Sequence, residues 1–274
     1  MMETSTYNSI SLNSIASSLA QIMNIEPPLQ SNAPADVLVH LPSLMGKGVV
    51  DRIIMYNPDA IGLEIFQKYT ALFEPVLRHI QLTLPLLSVM PSVTPVCFGT
   101  MYTGAMPEVH GIRSYSKPVI QIDSLFDSLI RSGKKAAIVA ENDCSMSRIY
   151  LNRAMDYFFY PTVDEVNDKA LELIRQDAHD FIAVYNGNYD STMHKHGPDA
   201  KEAISALKQN ISAFDTLAKA IEDTWKKKHT TLIGFAPDHG CHEIDGGCGS
   251  HGLDMASDMN IVHLYGVIPK TDSI

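Results

Sequence analysis

Short apolar runs with the length of buried strands alternate with helical segments along this chain. The runs cover residues 49–56, 136–140, 181–185 and 230–235, and most of their positions are apolar. Near-continuous apolar character is typical of parallel strands that are covered on both faces. The alternation predicts an α/β fold with a doubly wound, mostly parallel central sheet and helices on both faces.

Four other segments have the pattern of amphipathic helices. A helix is predicted to begin at the capping-box sequence 162–165, and a longer one is predicted over 200–227. A helix over 124–131 should end before Gly133, and a short one over 13–23 precedes the first strand. In a doubly wound sheet, ligands bind at the carboxyl ends of the strands, so chemistry is expected there.

Length and composition limit the class of protein. With 274 residues and 45% hydrophobic content, the chain is expected to form one domain, residues 1–274, in which the N-terminal helix and connection, 1–35, pack on the core. The net charge of −10 opposes binding to a nucleic-acid polymer. No signal-peptide pattern or membrane-spanning run is present, and four cysteines fit a reducing compartment, so we expect a cytoplasmic protein that does not bind membranes.

Carboxylates and imidazoles lie on glycine-containing segments that follow the predicted strands. Asp190 and His194 come shortly after the run ending at 185, and Asp238 and His239 come just after the run ending at 235. His251 lies in a later Gly-Ser-His-Gly segment. These residue types are the ligands of Zn²⁺ and related ions, and glycine allows the close backbone approach of a coordination loop. The sequence therefore predicts metal chemistry.

Two further residues complete a candidate site. Asp59 follows the first strand and precedes a helix. Thr94 lies directly before Pro95, a residue suited to the first position of a helix, so Thr94 is expected at a helix N-terminus. The helix dipole and free amides favour anions at that position.

In chain order, these motifs resemble the alkaline phosphatase superfamily, and most closely its nucleotide pyrophosphatase/phosphodiesterase branch, over residues 49–266. The matching positions are Asp59 with Gly62, Thr94, Thr103-Gly104, Pro107-Glu108, His110-Gly111-Ile112, Asp190, His194, Gly197-Pro198, Asp238-His239-Gly240 and His251-Gly252. The resemblance implies an alkaline phosphatase-like core, and the short intervals between motifs leave no room for a large cap domain.

The resemblance also implies two divalent metal ions, with zinc the first choice and manganese or iron compatible with the same ligands. One ion would be held by Asp59, Asp238 and His239 and would also bind the oxygen of Thr94. The other would be held by Asp190, His194 and His251.

The implied function is metal-dependent hydrolysis of a small phosphoester, of the phosphodiesterase or nucleotide pyrophosphatase type, with Thr94 as the nucleophile. Two alternatives remain open. The same site could serve a phosphomonoesterase or phosphonate hydrolase, or the chain could be an inactive metal-binding regulatory protein.

The chain departs from the family pattern at two places. Cys97 stands where the branch usually has an Asn that contacts a substrate oxygen, so a donor is expected to be missing. The family's C-terminal helix near a Pro-rich stretch is not found after His251, and the N-terminal segment 11–28 is expected to occupy its place.

Several residues have ordinary structural interpretations. Asp59 and Thr94 could each simply cap a helix. Three further histidines are predicted to be structural: His110, His196 and His242. Cys241 and Cys248, with His242, leave open an extra metal site, a disulfide or free thiols.

Overall fold

The computed structural model describes residues 7–271 and contains a seven-stranded sheet and a two-stranded hairpin. The sheet strands are β1 (Arg52–Pro58), β2 (Leu82–Leu87), β3 (Ala136–Glu141), β4 (Asp156–Tyr160), β5 (Phe181–Asn186), β6 (Thr231–Phe235) and β9 (Asn260–Ile268). The hairpin strands are β7 (His242–Ile244) and β8 (Cys248–Ser250).

Thirteen α-helices are found in the described part of the chain. They are α1 (Ile15–Ile22), α2 (Asp36–Val39), α3 (Leu41–Leu44), α4 (Leu63–Lys68), α5 (Glu74–Leu77), α6 (Thr94–Thr103), α7 (Pro107–His110), α8 (Leu125–Arg131), α9 (Ser145–Ile149), α10 (Val163–Gln176), α11 (Asn188–His196), α12 (Lys201–Thr224) and α13 (Ala256–Met259). Two short 3₁₀ helices cover Leu12–Ser14 and Thr70–Phe73.

The large sheet has the strand order β2-β9-β6-β1-β5-β3-β4. The pairs β6·β1, β1·β5, β5·β3 and β3·β4 are parallel, whereas β9 runs antiparallel to both β2 and β6. The predicted mostly parallel, doubly wound α/β sheet is confirmed. Within residues 7–271 no large cap domain is inserted between these elements, as the short intervals predicted.

Successive residues of the central strands face two different apolar layers. Ile53 and Met55 of β1 pack in the layer that contains α1, α6 and α8, whereas Ile54 and Tyr56 pack in the layer that contains α10 and α12. Because both faces of the sheet are covered, its strands are apolar at consecutive positions. This explains the pattern seen in the sequence.

The N-terminal segment packs on the first of these layers. Leu12, Ile15 and Leu19 are fully buried, and Ser11 forms an isolated β-bridge with Leu87 at the end of β2. The predicted helix over 13–23 is thus present as a 3₁₀ turn followed by α1. The part of the predicted segment 1–35 before residue 7 lies outside the described residues.

Other predicted elements differ from the structure at their ends. The first strand begins at Arg52 rather than 49, because Asp51 is in the turn and accepts from the backbone N–H of Thr230. The long helix covers Lys201–Thr224 instead of 200–227. Within residues 7–271, no helix is both long and apolar enough to cross a bilayer.

Candidate active site at the carboxyl edge of the sheet

Three neighbouring strands bring the predicted ligands together. Strands β6, β1 and β5 are adjacent and parallel, so their carboxyl ends lie side by side. Asp59 directly follows β1, Asp238 and His239 follow β6 after a short turn, and Asp190 lies in the first turn of α11, after β5. Positions far apart in sequence therefore meet at one edge of the sheet.

We call Asp59, Asp238 and His239 the inner triad. One potential ligand atom from each residue lies within 4.8 Å of the others, and all three side chains are buried. The Nε2 atom of His239 is 3.3 Å from Oδ1 of Asp59 and 3.4 Å from Oδ2 of Asp238. The inner triad is thus closed off from solvent.

We call Asp190, His194 and His251 the outer triad, which meets the same 4.8 Å criterion. The Nε2 atoms of His194 and His251 are 3.3 and 3.4 Å from Oδ1 of Asp190. Unlike the inner triad, this group is partly open, since the His194 side chain is 40% exposed. The ring centroids of His239 and His251 are 4.1 Å apart, so the two triads are direct neighbours.

The hairpin β7–β8 places His251 through a close approach to α11. A Cβ atom at Gly249 would lie 2.2 Å from Sδ of Met193, so only glycine fits without displacing the methionine. Because β8 lies so near, the carbonyl of Gly249 reaches the His194 ring, and the chain continues directly to His251. The glycine next to the motif is therefore required for packing.

A second tight contact joins the two loops of the inner triad. A Cβ atom at Gly240 would lie 1.9 Å from the carbonyl oxygen of Ser257, and one at Gly62 would lie 2.6 Å from Cα of Gly240. Ala60, next to Asp59, has a positive φ of 63°, an unfavourable conformation for a residue with a side chain. This packing holds Asp59 and Asp238 on rigid turns.

All three ligand histidines have Nδ1 near a backbone carbonyl. The acceptors are Gly240 for His239 at 2.9 Å, Gly249 for His194 at 3.0 Å and Ser92 for His251 at 2.9 Å. If Nδ1–H donates to the carbonyl, the lone pair lies on Nε2, the atom that faces the carboxylates of each triad. This is the tautomer that a metal ligand requires.

The carboxylates supply oxygens that have no partner in the protein. Oδ1 of Asp59, Oδ2 of Asp238 and Oδ1 of Asp190 are buried, and none accepts a hydrogen bond in the described structure. These are the same oxygens that lie near Nε2 of the histidines. Buried carboxylate oxygens without donors are costly unless a cation pairs with them. The residues present therefore fit a divalent ion in each triad.

The protonation equilibria show the same deficit of positive charge. Burial, and then repulsion by Asp190, raise the pKa of Asp59 to about 7. Burial also raises the pKa of Asp238 and lowers that of His239 to about 3. Burial opposes ionisation of Asp190, but attraction to His194 and His251 outweighs it and lowers its pKa. A bound cation in each triad would favour the ionised form of these three carboxylates.

Thr94 lies at the centre of this arrangement. It is the first residue of α6, one position earlier than a helix beginning at Pro95 would have it, and it is buried. Its hydroxyl donates to Oδ2 of Asp59 at 3.2 Å and lies 3.4 Å from Nε2 of His239. The Thr94 hydroxyl thus lies at the N-terminal end of α6 and is directed at the inner triad.

Sequence reasoning missed Tyr185, which belongs to the predicted strand 181–185. Its hydroxyl donates to Oδ2 of Asp59 at 2.5 Å, the oxygen that also accepts from Thr94. Burial, and then the charge of Asp59, raise the pKa of Tyr185, so it stays a donor. Its place in an apolar run gave no signal of this role, because strand-end position alone does not show which carboxylate it will meet.

A small polar cavity of about 200 Å³ opens beside Thr94, Asp59 and Asp190. Its remaining walls come from two loops and the β5–α11 turn: Tyr115, Lys117, Glu141, Asn142, Asp143, Cys144, Ser145, Tyr185, Gly187 and Ser191. Sequence analysis did not single out the loop that carries Tyr115 and Lys117, since this loop contains no ligand motif.

Cys97 does not line the cavity beside Thr94. The side chain is fully buried in the apolar layer, and its Sγ lies 3.2 Å from the hydroxyl oxygen of Ser88. Ser88 also donates to the carbonyl of Asp238, so Cys97 lies behind the inner triad rather than in the cavity lining. The helix turns this position inward, which spacing along the sequence did not reveal.

The other histidines and cysteines have separate contacts. Nε2 of His110 is 3.0 Å from Oγ1 of Thr100, and Nδ1 of His242 is 2.7 Å from Oδ1 of the buried Asp258. The thiols have different partners: Cys241 lies 3.9 Å from the Tyr189 hydroxyl, and Cys248 donates to the carbonyl of Lys195. Both cysteines are free in the structure. For His196, the structure gives only an exposed position at the end of α11.

The chain combines a mostly parallel α/β sheet with two Asp/His triads and a threonine at one edge, and comparisons with known proteins show what this arrangement resembles. Residues 137–262 match the family model described as type I phosphodiesterase / nucleotide pyrophosphatase, a span that includes the outer triad, Asp238 and His239. The resemblance predicted from the motifs, to the nucleotide pyrophosphatase/phosphodiesterase branch of the alkaline phosphatase superfamily, is confirmed.

Solved structures share the fold at low sequence identity. Murine ectonucleotide pyrophosphatase/phosphodiesterase 5 is 12% identical, with a TM-score of 0.64 over 78% of this chain and 88% of its own. An inactive variant of that protein in complex with AMP is also 12% identical, with a TM-score of 0.63 over 79% and 88% of the two chains. Phosphonoacetate hydrolase from Sinorhizobium meliloti is 15% identical, with a TM-score of 0.50 over 69% and 56% of the two chains. No match was found among curated proteins. The solved structures thus show a shared fold, and the family model matches the part of the chain that carries Asp190, Asp238 and His251.

Proposed function

We propose that this protein is a phosphoester hydrolase of the phosphodiesterase or nucleotide pyrophosphatase type, with Thr94 as its nucleophile. The observation that carries the proposal is the position of the Thr94 hydroxyl. It donates to Oδ2 of Asp59 at 3.2 Å and lies 3.4 Å from Nε2 of His239, and the other carboxylate oxygen of Asp59, Oδ1, has no hydrogen-bond partner. An ordinary helix-capping threonine bonds to the amides of its own helix, whereas the Thr94 hydroxyl donates to the Asp59 carboxylate.

In this proposal, Asp59, Asp238 and His239 hold one divalent ion, and Asp190, His194 and His251 hold the other. When bound, such ions lower the pKa of a nearby hydroxyl or water and neutralise charge that develops on the phosphoryl group. The inactive variant of murine ectonucleotide pyrophosphatase/phosphodiesterase 5 is in complex with AMP, which is compatible with a mononucleotide-sized ligand at such a site. We propose zinc for both positions on ligand type, with manganese or iron as substitutes.

The residues of the chain divide the work of a two-step displacement. Oγ1 of Thr94 forms a bond to phosphorus while the bond from phosphorus to the alcohol breaks, which leaves a phosphothreonine and releases the alcohol. A water molecule then attacks phosphorus, and Oγ1 of Thr94 leaves. Tyr185 holds Asp59 in a fixed orientation during both steps through its hydrogen bond to Oδ2. The open side at His194 gives water a route for the second step.

We further propose that residues 1–274 act as one domain on a small phosphoester in the cytoplasm. The four free cysteines are compatible with a reducing compartment. Fractionation of cells that express the tagged protein tests the location, and recovery outside the cytoplasm would contradict it.

The test of the nucleophile is substitution of Thr94. Thr94→Ala removes the attacking oxygen and none of the six Asp and His ligands, so turnover of an aryl phosphodiester should fall by about 10³-fold or more while two ions still bind. Thr103→Ala is the matched control, because it removes a buried hydroxyl from the other end of the same helix. Near-normal turnover by Thr94→Ala would exclude Thr94 as the nucleophile.

A phosphomonoesterase or phosphonate hydrolase is the second candidate, and the size of the cavity favours testing it. A volume of about 200 Å³ accommodates a phosphoryl group and a small leaving group, with anything larger left in solvent. A panel of matched aryl monoesters, aryl diesters and a phosphonate separates these activities. Binding of two metal ions without turnover of any panel member would instead support an inactive metal-binding regulatory protein.

A further inference from the structure

The cavity beside Thr94 contains one cationic residue among its described lining, Lys117. The protein as a whole carries a net charge of −10, and the acidic residues that line the same space are Asp59, Asp190, Glu141 and Asp143. In residues 7–271, no carboxylate lies within ion-pair distance of the Lys117 ammonium. An unpaired cation on the wall of an acidic cavity requires an explanation.

The ammonium of Lys117 is held in place by groups that do not neutralise it. It donates to the backbone carbonyl of Asp143 at 2.7 Å and lies 5.4 Å from the ring centroid of Tyr115. The side chain of Asp143 pairs with Arg148 instead. An ammonium has three N–H donors, so two remain after the bond to Asp143. Lys117 is therefore positioned and still able to bind an anion.

The two acidic side chains near Lys117 on this wall, Glu141 and Asp143, already have hydrogen-bond or ion-pair partners. Oε2 of Glu141 accepts from the backbone N–H of Gly187 at 2.6 Å, and Asp143 has its arginine partner. Their repulsion of an incoming anion is thereby reduced. Lys117 also lies on a loop different from those that carry Thr94 and the triads, and it lines the same cavity.

Resting on the proposed function, we propose that Lys117 determines specificity by binding a second negative charge, on the alcohol portion of the substrate. The phosphoryl group is placed at Thr94 and the triads, and the leaving group extends toward the wall formed by residues 115–117 and 141–145. The preferred substrates are small phosphoesters whose leaving group carries an anionic substituent such as a carboxylate.

The test compares two ligands of equal size that differ by one charge, phosphoglycolate and its neutral amide. Calorimetric titration of zinc-loaded Thr94→Ala protein measures binding without turnover. The carboxylate ligand should bind about tenfold more tightly than the amide, the effect typical of one charge-assisted contact. Added salt should reduce this ratio, since the cavity is open to solvent.

Substitution of the lysine should remove the preference alone. Lys117→Gln in the same background should bring the affinity ratio close to one and leave amide binding unchanged, whereas Lys117→Arg should retain the preference. Lys208→Gln is the charge-matched control, because Lys208 is exposed on α12 and does not line the cavity.

The outcomes separate this inference from the function on which it rests. Equal binding of both ligands, or a ratio unaffected by Lys117→Gln, overturns the role of Lys117 and leaves the phosphoryl site intact. Failure of both ligands to bind the zinc-loaded protein overturns the phosphoryl site and the role of Lys117 together.

Discussion

Tyr185→Phe tests whether a hydrogen bond behind a metal ligand controls metal affinity. The substitution removes the donor that lies 2.5 Å from Oδ2 of Asp59 and keeps the ring, which packs edge-on against Phe98 at a centroid distance of 5.7 Å. A hydrogen bond to a charged group is worth about 1.5–3 kcal/mol, which corresponds to roughly 10- to 150-fold in affinity. Thr94 still donates to the same oxygen, so we expect the lower end, about tenfold weaker zinc binding.

The assay is calorimetric titration with zinc in an Asp190→Ala background, in which the outer triad lacks its central ligand. Tyr150→Phe is the matched control, since it removes a buried hydroxyl that donates to the carbonyl of Phe98 at 2.8 Å and touches no proposed ligand. The control should keep the parent affinity. Equal zinc affinity in Tyr185→Phe and the parent would refute the idea that this phenol orients Asp59.

Three further results are expected. Chelation should abolish phosphoester turnover and lower the melting temperature, and added zinc should restore both. An ion present at 100 times its Kd adds about 2.7 kcal/mol to folding stability. An unchanged melting curve would count against the metal sites. Thr94→Ser should retain measurable turnover, since it keeps the attacking oxygen, and complete inactivity with two ions bound would contradict this. Cys97→Asn should lower the free energy of unfolding by about 1–3 kcal/mol without raising turnover, because it buries an amide that lacks partners. A gain in kcat/KM would contradict our conclusion that Cys97 faces the core and not the cavity.

The positions of the candidate metal ligands were predictable because they depend on the order of the central strands. Asp59 and Asp238 follow apolar runs that could be recognised as parallel strands. Once those strands are neighbours, their carboxyl ends must meet, whatever the details of the loops. The ligand types then indicated a metal before any distance was known.

Other parts of the sheet were not predicted, for physical reasons. Strand β2 contains Pro85, which cannot donate to a ladder and so argues against a strand, but β2 is at the edge of the sheet, where proline is tolerated. Strand β4 is the opposite edge; its four consecutive aromatic residues after Asp156 favour a strand, but sequence reasoning did not use them. The reversed direction of β9 depends on the path of the chain around α13 and is not visible in composition.

The roles of the groups that surround the candidate ligands could not be predicted from the sequence either. Tyr185, Lys117 and Cys97 each lie in segments with ordinary periodicity. Their roles depend on the side of a strand, loop or helix from which each side chain projects, and on what another element places opposite. Cys97 shows this most clearly, since three residues along α6 from Thr94 the side chain faces the core rather than the cavity.

The two triads differ in burial, and the difference matches the two steps of the proposed reaction. The inner triad is buried and is built on turns that follow strands of the central sheet, so the Thr94 hydroxyl meets it in a largely buried space at the wall of the cavity. Electrostatic activation of an attacking oxygen is strongest in such a space. The outer triad rests on α11 and on the loop after β8, with His194 open to solvent. Hydrolysis of a phosphothreonine requires one water molecule to enter, and the exposed side of His194 provides a place for it.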